Sequence, residues 1–137
     1  MMKLKSLIPM LNVSNIAKSL EFYENALGFQ VVSDPKAVEE WRWATIRSGN
    51  TELMLSETET NIGLEAPIDP QESTKWPVIV YFYPDSVVQL YQHVENCGYL
   101  PTPLITTFYG MKEFSIQDPD GHMLSFGEDS IEESKSK

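Results

Sequence analysis

The chain has 137 residues, 42% hydrophobic and 22% charged, which suits a globular domain with a hydrophobic core. Its formal net charge is −10, and it lacks the basic face that nucleic acid or an anionic membrane surface would need, so we expect neither partner. We find no apolar stretch of about 18 residues and no signal peptide, so we expect no membrane span and a cytoplasmic location.

The first half of the chain predicts a strand, a helix and three more strands. The first strand covers Leu4–Val13, and Pro9 within it suggests an edge position. Ser14 is a suitable N-cap for the helix, and Gly28 stands where a helix C-terminal glycine belongs. The three further strands are expected over Phe29–Ser33, Trp41–Arg47 and Thr51–Ser56.

The second half predicts the same order of elements. A strand over Val78–Tyr83 leads to a helix capped by Asp85 or Ser86 and ended by Gly98. Cys97, the one cysteine, falls on the apolar side of this helix and is expected to be a small buried residue. The remaining strands are expected over Leu104–Phe108, Met111–Gln117 and His122–Gly127, with a tight turn at Asp118–Gly121.

These patterns predict an α+β chain built from two βαβββ modules. The modules cover residues 4–56 and 76–128, a linker or mobile loop covers 57–75, and a flexible tail covers 129–137. Gly28 and Gly98 end the two helices and lie 70 residues apart (98 − 28). Two such units indicate a duplicated module whose curved mixed sheets enclose a cavity.

Three stretches in this order resemble the vicinal oxygen chelate superfamily of glyoxalases, bleomycin-resistance proteins and extradiol dioxygenases. They are Ile8–Val13 with Ser19–Tyr23 and Leu27–Phe29, then Ala44–Ser56, then Tyr109–Phe114 with Asp118–His122. The Phe-Tyr, Leu-Gly-Phe, Tyr-Gly and Asp-Pro-Asp-Gly pieces are most similar to the bleomycin-resistance branch. The resemblance implies the βαβββ fold, a homodimer and a small-molecule ligand.

The resemblance also gives the positions at which metal-bearing relatives hold their ion. They fall on Ile8, Met54, Val78 and Ser125, and none of these is a usual ligand for zinc, nickel or iron. A register shift of two residues would bring Glu52 to the Met54 position, which makes Glu52 the one plausible carboxylate of the first module. We therefore expect no metal, no cofactor and no catalytic residue.

If those four positions face the cavity, strand alternation predicts which other side chains do. Glu52 and Phe82 then face it, together with Met10, Asn12, Ser56, Val80 and Met123, whereas Leu53, Leu55, Ile79, Tyr81, Leu124 and Phe126 face the helices. Trp41 and Trp43 are expected on one strand face. In the bleomycin-resistance branch, an aromatic residue at the position matching Trp43 stacks on the planar part of the drug.

The leading hypothesis is a metal-free, homodimeric protein that sequesters a planar or cationic compound in an aromatic cavity. The predicted ligand-binding residues are Trp41, Trp43, Glu52, Met54, Phe82, Phe108, Tyr109, Met111 and Ser125. One alternative is a metal-dependent lyase, isomerase or dioxygenase of the same superfamily with shifted ligands. The other is a structural or regulatory dimer whose cavity is filled by its own side chains.

Overall fold

The structure is a computed structural model that describes residues 2–58 and 78–129. The described residues divide into two compact units, one before and one after the gap. Most of the expected linker, residues 57–75, and of the expected tail, residues 129–137, lies outside the described ranges. Within those ranges no helix is long and apolar enough to cross a bilayer.

The first module is a four-stranded mixed sheet with two helices. Its elements are β1 (Met10–Val13), α1 (Ile16–Leu27), β2 (Gln30–Val31), α2 (Pro35–Trp41), β3 (Trp43–Ser48) and β4 (Thr51–Glu57). The strands lie in the order β1-β4-β3-β2, with β1 parallel to β4 and the other pairs antiparallel. Leu11 and Val13 of β1 and Leu53 and Leu55 of β4 are buried, so alternate residues of each strand form the core.

Both ends of α1 carry recognisable caps. Asn15, and not the predicted Ser14, is the N-cap, because its side-chain oxygen accepts a hydrogen bond from the Lys18 N–H at 3.1 Å. Gly28 ends the helix as predicted. Its φ of 74° lies in the left-handed region, which glycine adopts without strain.

The strand predicted over Leu4–Val13 forms only over its last four residues. Leu4 and Leu7 are exposed and lie outside any strand. Proline has no N–H for a strand ladder, but the Pro9 carbonyl accepts a hydrogen bond from the Met54 N–H at 2.9 Å, just before β1 begins. The apolar composition before Pro9 therefore does not indicate a strand.

Trp41 ends an additional helix, α2, and does not lie on β3. Asp34 accepts a hydrogen bond from the Lys36 N–H at 2.9 Å, and Pro35 takes the first turn, both of which favour a helix N-terminus. Arg42 then turns the chain with a φ of 54°, and β3 begins at Trp43. The predicted strand face shared by Trp41 and Trp43 is therefore wrong.

The second module repeats the sheet of the first. Its elements are β5 (Val80–Phe82), α3 (Val87–Asn96), β6 (Ile105–Thr106), β7 (Met111–Gln117) and β8 (Met123–Asp129), in the strand order β5-β8-β7-β6. Ser86 is the N-cap of α3, with its hydroxyl accepting from the Gln89 N–H at 3.2 Å. Asp118 forms the predicted turn, since its carboxylate accepts from the N–H groups of Asp120 and His122 at 3.0 and 2.8 Å.

Cys97 is exposed, so the expectation that it is buried is wrong. Helix α3 ends at Asn96, one residue before Cys97, and the cysteine therefore leaves the apolar side of the helix. Its Sγ lies 3.5 Å from the Nε2 of His93, which is also exposed.

The same contact between a carboxylate and a helix closes each module. Glu57, the last residue of β4, accepts a hydrogen bond from the Ile16 N–H at 2.9 Å, and Glu128 of β8 accepts from the Val87 N–H at 3.1 Å. Each glutamate lies 41 residues after the helix residue that it caps. This equivalence, with the identical strand order, confirms the predicted α+β fold of two βαβββ modules.

Replacing either capping glutamate should destabilise the fold. Glu57→Ala and Glu128→Ala should each lower the free energy of unfolding by about 1–2 kcal/mol, because each removes an acceptor from a helix N–H and a negative charge from the positive end of the helix dipole. Chemical denaturation measures this. Glu21→Ala, at an exposed position on α1, is the control and should stay within about 0.5 kcal/mol of wild type. Losses equal to that control would contradict the capping role.

Candidate functional site

The sheet of the second module has one face that packs against α3. That face holds Phe114 and Phe126, whose rings stack with centroids 5.0 Å apart, and Tyr91 of α3 meets Phe114 at 5.3 Å. Side chains alternate along a strand, so the pair Tyr81 and Ser125, which are opposite each other on β5 and β8, projects to the other side. We call the side away from α3 the open face of this sheet.

The predicted facing of β5 is wrong by one residue. Phe82 pairs with Phe126 and stacks on it with ring centroids 5.0 Å apart, so Phe82 belongs to the α3 side and not to the cavity side. Ile79 and Tyr81 take the open-face positions instead. The prediction placed Val78 on the open face, and a shift of one residue sends every side chain of a strand to the opposite side.

The Tyr81 side chain extends across the open face from β5, over β8, to β7. It starts on β5, passes over Gly127 of β8, and donates a hydrogen bond to Glu113 Oε2 on β7 at 2.5 Å. A methyl group at Gly127 would overlap the Tyr81 hydroxyl oxygen and lie 2.7 Å from Cζ. The contact between Tyr81 and Glu113 therefore depends on the missing side chain at position 127.

A second tyrosine binds the same carboxylate. The Tyr109 hydroxyl, in the turn before β7, lies 2.8 Å from Glu113 Oε1 and 2.9 Å from Oε2. Desolvation of the hydroxyl is the largest cause that raises the pKa of Tyr81 far above its ordinary value, and the hydrogen bond to Glu113 adds to it. The same two causes raise the pKa of Tyr109. Both phenols therefore stay protonated and donate their protons to Glu113.

These side chains line a pocket of about 470 Å³ within the second module. Its lining residues are Ile79, Tyr81, Thr102, Pro103, Ile105, Tyr109, Glu113, Phe114, Ser115 and Ser125. The hydroxyls of Ser115 and Ser125 lie 2.8 Å apart, and Thr102 Oγ1 accepts from the Ser115 N–H at 2.8 Å. Among the residues that the structure describes, Glu113 is the one formally charged residue of the lining, and neither lysine nor arginine is part of it. The pocket thus combines an apolar wall with one negative group.

The structure brings two of the predicted second-module residues, Tyr109 and Ser125, into this pocket. Phe108 is 99% exposed and packs edge-to-face on the Tyr109 ring, with centroids 4.9 Å apart. Met111 begins β7 opposite Asp129 and is partly buried. Neither Phe108 nor Met111 lines the pocket, so of these three predicted ligand-binding residues only Tyr109 does.

The predicted first-module residues lie on the side of their sheet opposite the buried leucines. Met54 pairs with Met10 on β1 and with Thr45 on β3. Trp43, two residues before Thr45, lies on the same side of the sheet. Glu52 shares this side and accepts a hydrogen bond from the Arg47 guanidinium at 3.2 Å. Trp43, Glu52 and Met54 are each partly buried, whereas Trp41 is 73% exposed at the end of α2.

The side chains at the expected metal positions do not suit a metal ion. Met54 keeps the predicted facing, Ser125 shares its hydroxyl with Ser115, and Val78 precedes β5 and is exposed. The described part of the chain holds no group of three His, Cys, Asp or Glu side chains that could bind a metal. Glu113, which lies on the same side of the sheet as Ser125, accepts hydrogen bonds from two tyrosine hydroxyls.

Sequence analysis did not identify Tyr81, Glu113 or Gly127 as site residues. Glu113 lies in the Tyr109–Phe114 stretch that carries the family resemblance, and its side chain is on the same side of β7 as that of Ser115. A glycine inside an otherwise regular strand, such as Gly127, is a signal for a close approach by another group. The tyrosine that approaches it comes from the other half of the module and could be found only from the strand order.

The chain belongs to the Glyoxalase/Bleomycin resistance protein/Dioxygenase superfamily, whose profile matches residues 6–126. No curated protein matches the chain. The expected resemblance is therefore confirmed at the level of the superfamily.

Several solved structures share the fold at low sequence identity. TioX from a Micromonospora species is 15% identical with a TM-score of 0.71, and the match covers 91% of this chain and 98% of that one. The bleomycin-binding protein from bleomycin-producing Streptomyces verticillus, complexed with copper(II)-bleomycin, is 20% identical with a TM-score of 0.64, covering 92% and 97%. Another bleomycin-binding protein, complexed with bleomycin, is 17% identical with a TM-score of 0.66, covering 91% and 98%.

The contact between Tyr81 and Glu113 should be visible in an alkaline titration. A tyrosine whose pKa is raised by folding stabilises the fold fully below its ordinary value of 10.0, and this contribution is lost as the pH rises above it. Tyr81→Phe should therefore remove the most alkaline step in the tyrosinate absorbance and lessen the loss of stability above pH 10.0. Gly127→Ala should move that step toward lower pH, because the methyl group displaces Tyr81.

Tyr83→Phe is the matched control for this titration, since Tyr83 is an exposed tyrosine just after β5. It should leave the most alkaline step in place. If the most alkaline step persists in Tyr81→Phe and does not move in Gly127→Ala, the Tyr81 hydroxyl does not bind Glu113.

Proposed function

We propose that this chain binds a small organic cation with a planar or apolar body and holds it without changing any bond. The observation that carries the proposal is the pocket of about 470 Å³ in which Glu113 is the one charged group. Ligand pockets commonly have volumes of about 300–1,000 Å³, apolar walls and a few polar groups that orient the ligand. A neutral compound would leave the Glu113 carboxylate without a counter-charge in a partly buried site, whereas a cation would supply one.

Charge and relatives support the same class of ligand. The net charge of −10 favours the approach of cations over anions. Two solved relatives of the same superfamily are described as bleomycin-binding proteins, and this supports binding of a small molecule as the function of the fold. In this proposal the protein is cytoplasmic, and its affinity comes from burial, stacking and one ionic contact.

The residues of the first module form a second set of proposed ligand contacts. Trp43 and Met54 present an aromatic and a thioether surface on the same side of their sheet, and Glu52 lies on that side as well. A homodimer, which we also propose, would bring further copies of both sets of residues into one assembly. Sedimentation at tens of micromolar tests this part, and a monomer there would contradict it.

Replacing the pocket carboxylate should weaken binding of a planar cation. Glu113→Gln keeps the shape and removes the charge, so it should raise the Kd for ethidium and for bleomycin roughly ten- to hundredfold, the range of about 1.5–3 kcal/mol for a charge-assisted contact. Calorimetric titration measures this. Glu21→Gln, exposed on α1, removes the same net charge and should change the Kd less than about twofold.

Two further results would redirect or overturn the proposal. A large effect of Glu52→Gln with no effect of Glu113→Gln would move the cation site to the first module. Failure of wild type to bind either probe would remove the support for a cation-binding function. The melting temperature of each variant shows whether the fold is intact, so that lost binding is not mistaken for unfolding.

Truncating Trp43 should weaken binding without unfolding the protein. Trp43→Ala should raise the Kd for ethidium roughly tenfold, because stacking and cation–π contact contribute about 1–2 kcal/mol when desolvated. Trp41→Ala is the matched control, since Trp41 lies at an exposed helix end. A loss of about 3–5 kcal/mol in stability for Trp43→Ala would instead make this residue part of the core.

A further inference from the structure

We infer that the pocket of the second module binds an ammonium group as well as a guanidinium group, unlike an open carboxylate, because two tyrosines leave Glu113 room for one further hydrogen-bond donor. The inference rests on the proposed function and specifies which cations the site accepts. It depends on the geometry of Tyr81, Tyr109, Glu113 and Gly127.

The hydrogen-bond capacity of Glu113 is largely used inside the protein. A carboxylate offers about four lone-pair positions on its two oxygens. Tyr81 donates to Oε2 at 2.5 Å, and Tyr109 lies within hydrogen-bond distance of both oxygens. Oε2 thus faces two hydroxyls and Oε1 faces one. The remaining position is on Oε1, and a single N–H can occupy it.

The position of the Tyr109 hydroxyl prevents a guanidinium from binding both carboxylate oxygens of Glu113. Its distances to the two carboxylate oxygens of Glu113, 2.8 and 2.9 Å, are nearly equal, so it sits between them. An arginine-like group binds a carboxylate best through two parallel N–H bonds, one to each oxygen, and approaches from this same side. With Tyr109 in place, a guanidinium can use one N–H only, and its main advantage over an ammonium is lost.

Tyr81 cannot easily give way to such a ligand. Its ring lies over Gly127, at a place where no side chain competes with it, and its hydroxyl makes the shortest contact with Glu113. Tyr109 stands in a turn and is 55% exposed, so its hydroxyl can be removed with little effect on the core. Tyr109→Phe is therefore the substitution that opens the carboxylate.

The walls of the pocket indicate the rest of the ligand. Ile79, Pro103 and Ile105 supply apolar surface, and the Ser115 and Ser125 hydroxyls share one hydrogen bond at 2.8 Å. An apolar group beside the ammonium would contact the three apolar side chains. A flat two-ring hydrocarbon is small enough for about 470 Å³.

The experiment compares three probes that share one body. They are 2-naphthylmethylammonium, 2-naphthylmethylguanidinium and the neutral 2-naphthylmethanol, titrated into wild type, Tyr109→Phe and Glu113→Gln and followed by calorimetry or naphthyl fluorescence. In wild type the two cations should bind within about threefold of each other and roughly tenfold more tightly than the alcohol, since a tenfold difference corresponds to one lost charge-assisted contact. In Tyr109→Phe the guanidinium should bind roughly tenfold more tightly than the ammonium, because it gains a second charge-assisted N–H contact.

The possible results separate this inference from the proposed function. If the guanidinium binds wild type roughly tenfold more tightly than the ammonium, and both lose affinity in Glu113→Gln, the cation site stands and the inference is overturned. Equal binding of the two cations that persists unchanged in Tyr109→Phe would also overturn it, since the phenol would not be its cause. If neither cation binds wild type more tightly than the alcohol, the cation-binding function fails together with the inference.

Discussion

Two glutamates, one near the end of the last strand of each module, attach the helices to their sheets. Glu57 accepts a hydrogen bond from the first residue of α1, and Glu128 does the same for α3. A helix N-terminus carries unpaired N–H groups and partial positive charge, so a carboxylate there supplies both an acceptor and a counter-charge. Once the helix is held to one side, the buried alternate residues of each strand must face it. The other side of the sheet is then available for residues that do not serve the core.

In the second module, the arrangement of that other side depends on Gly127, a residue without a side chain. Gly127 stands opposite Glu113 on adjacent strands, and only a residue without a side chain lets Tyr81 pass above β8. The phenol then reaches the carboxylate from a strand that does not pair with β7. Three neighbouring strands, β5, β8 and β7, therefore each supply one requirement of the contact: the donor, the space and the acceptor. No pair of these residues is adjacent in sequence, and the contact exists only because the strands lie in this order.

Local sequence patterns predicted much of the fold but only part of the site. The repeated order of elements and the residue range of β7 follow from these patterns, whereas the facing of Met54 and Glu52 on β4 follows from strand alternation together with the positions that the family resemblance implies. The facing of β5 does not, because a run of apolar and aromatic residues carries no alternation to set its register, and Phe82 was placed on the wrong side. Trp41 was misplaced for a different reason: Trp41 and Trp43 favour a strand by composition, whereas Asp34 and Pro35 begin a helix that ends at Trp41.

The hydrogen bonds that offset the desolvation of the Glu113 carboxylate also restrict which ligands it can bind. A carboxylate removed from water needs donors, and the Tyr81 and Tyr109 hydroxyls provide them from within the protein. Each donor stabilises the charge and at the same time occupies a place that a ligand would otherwise use. A site that relied on its ligand for all donors would bind a guanidinium more strongly but would be costly when empty. In this pocket the two tyrosines supply most of the donors, so the carboxylate is stabilised without a ligand. The ligand then contributes a positive charge and a single hydrogen bond.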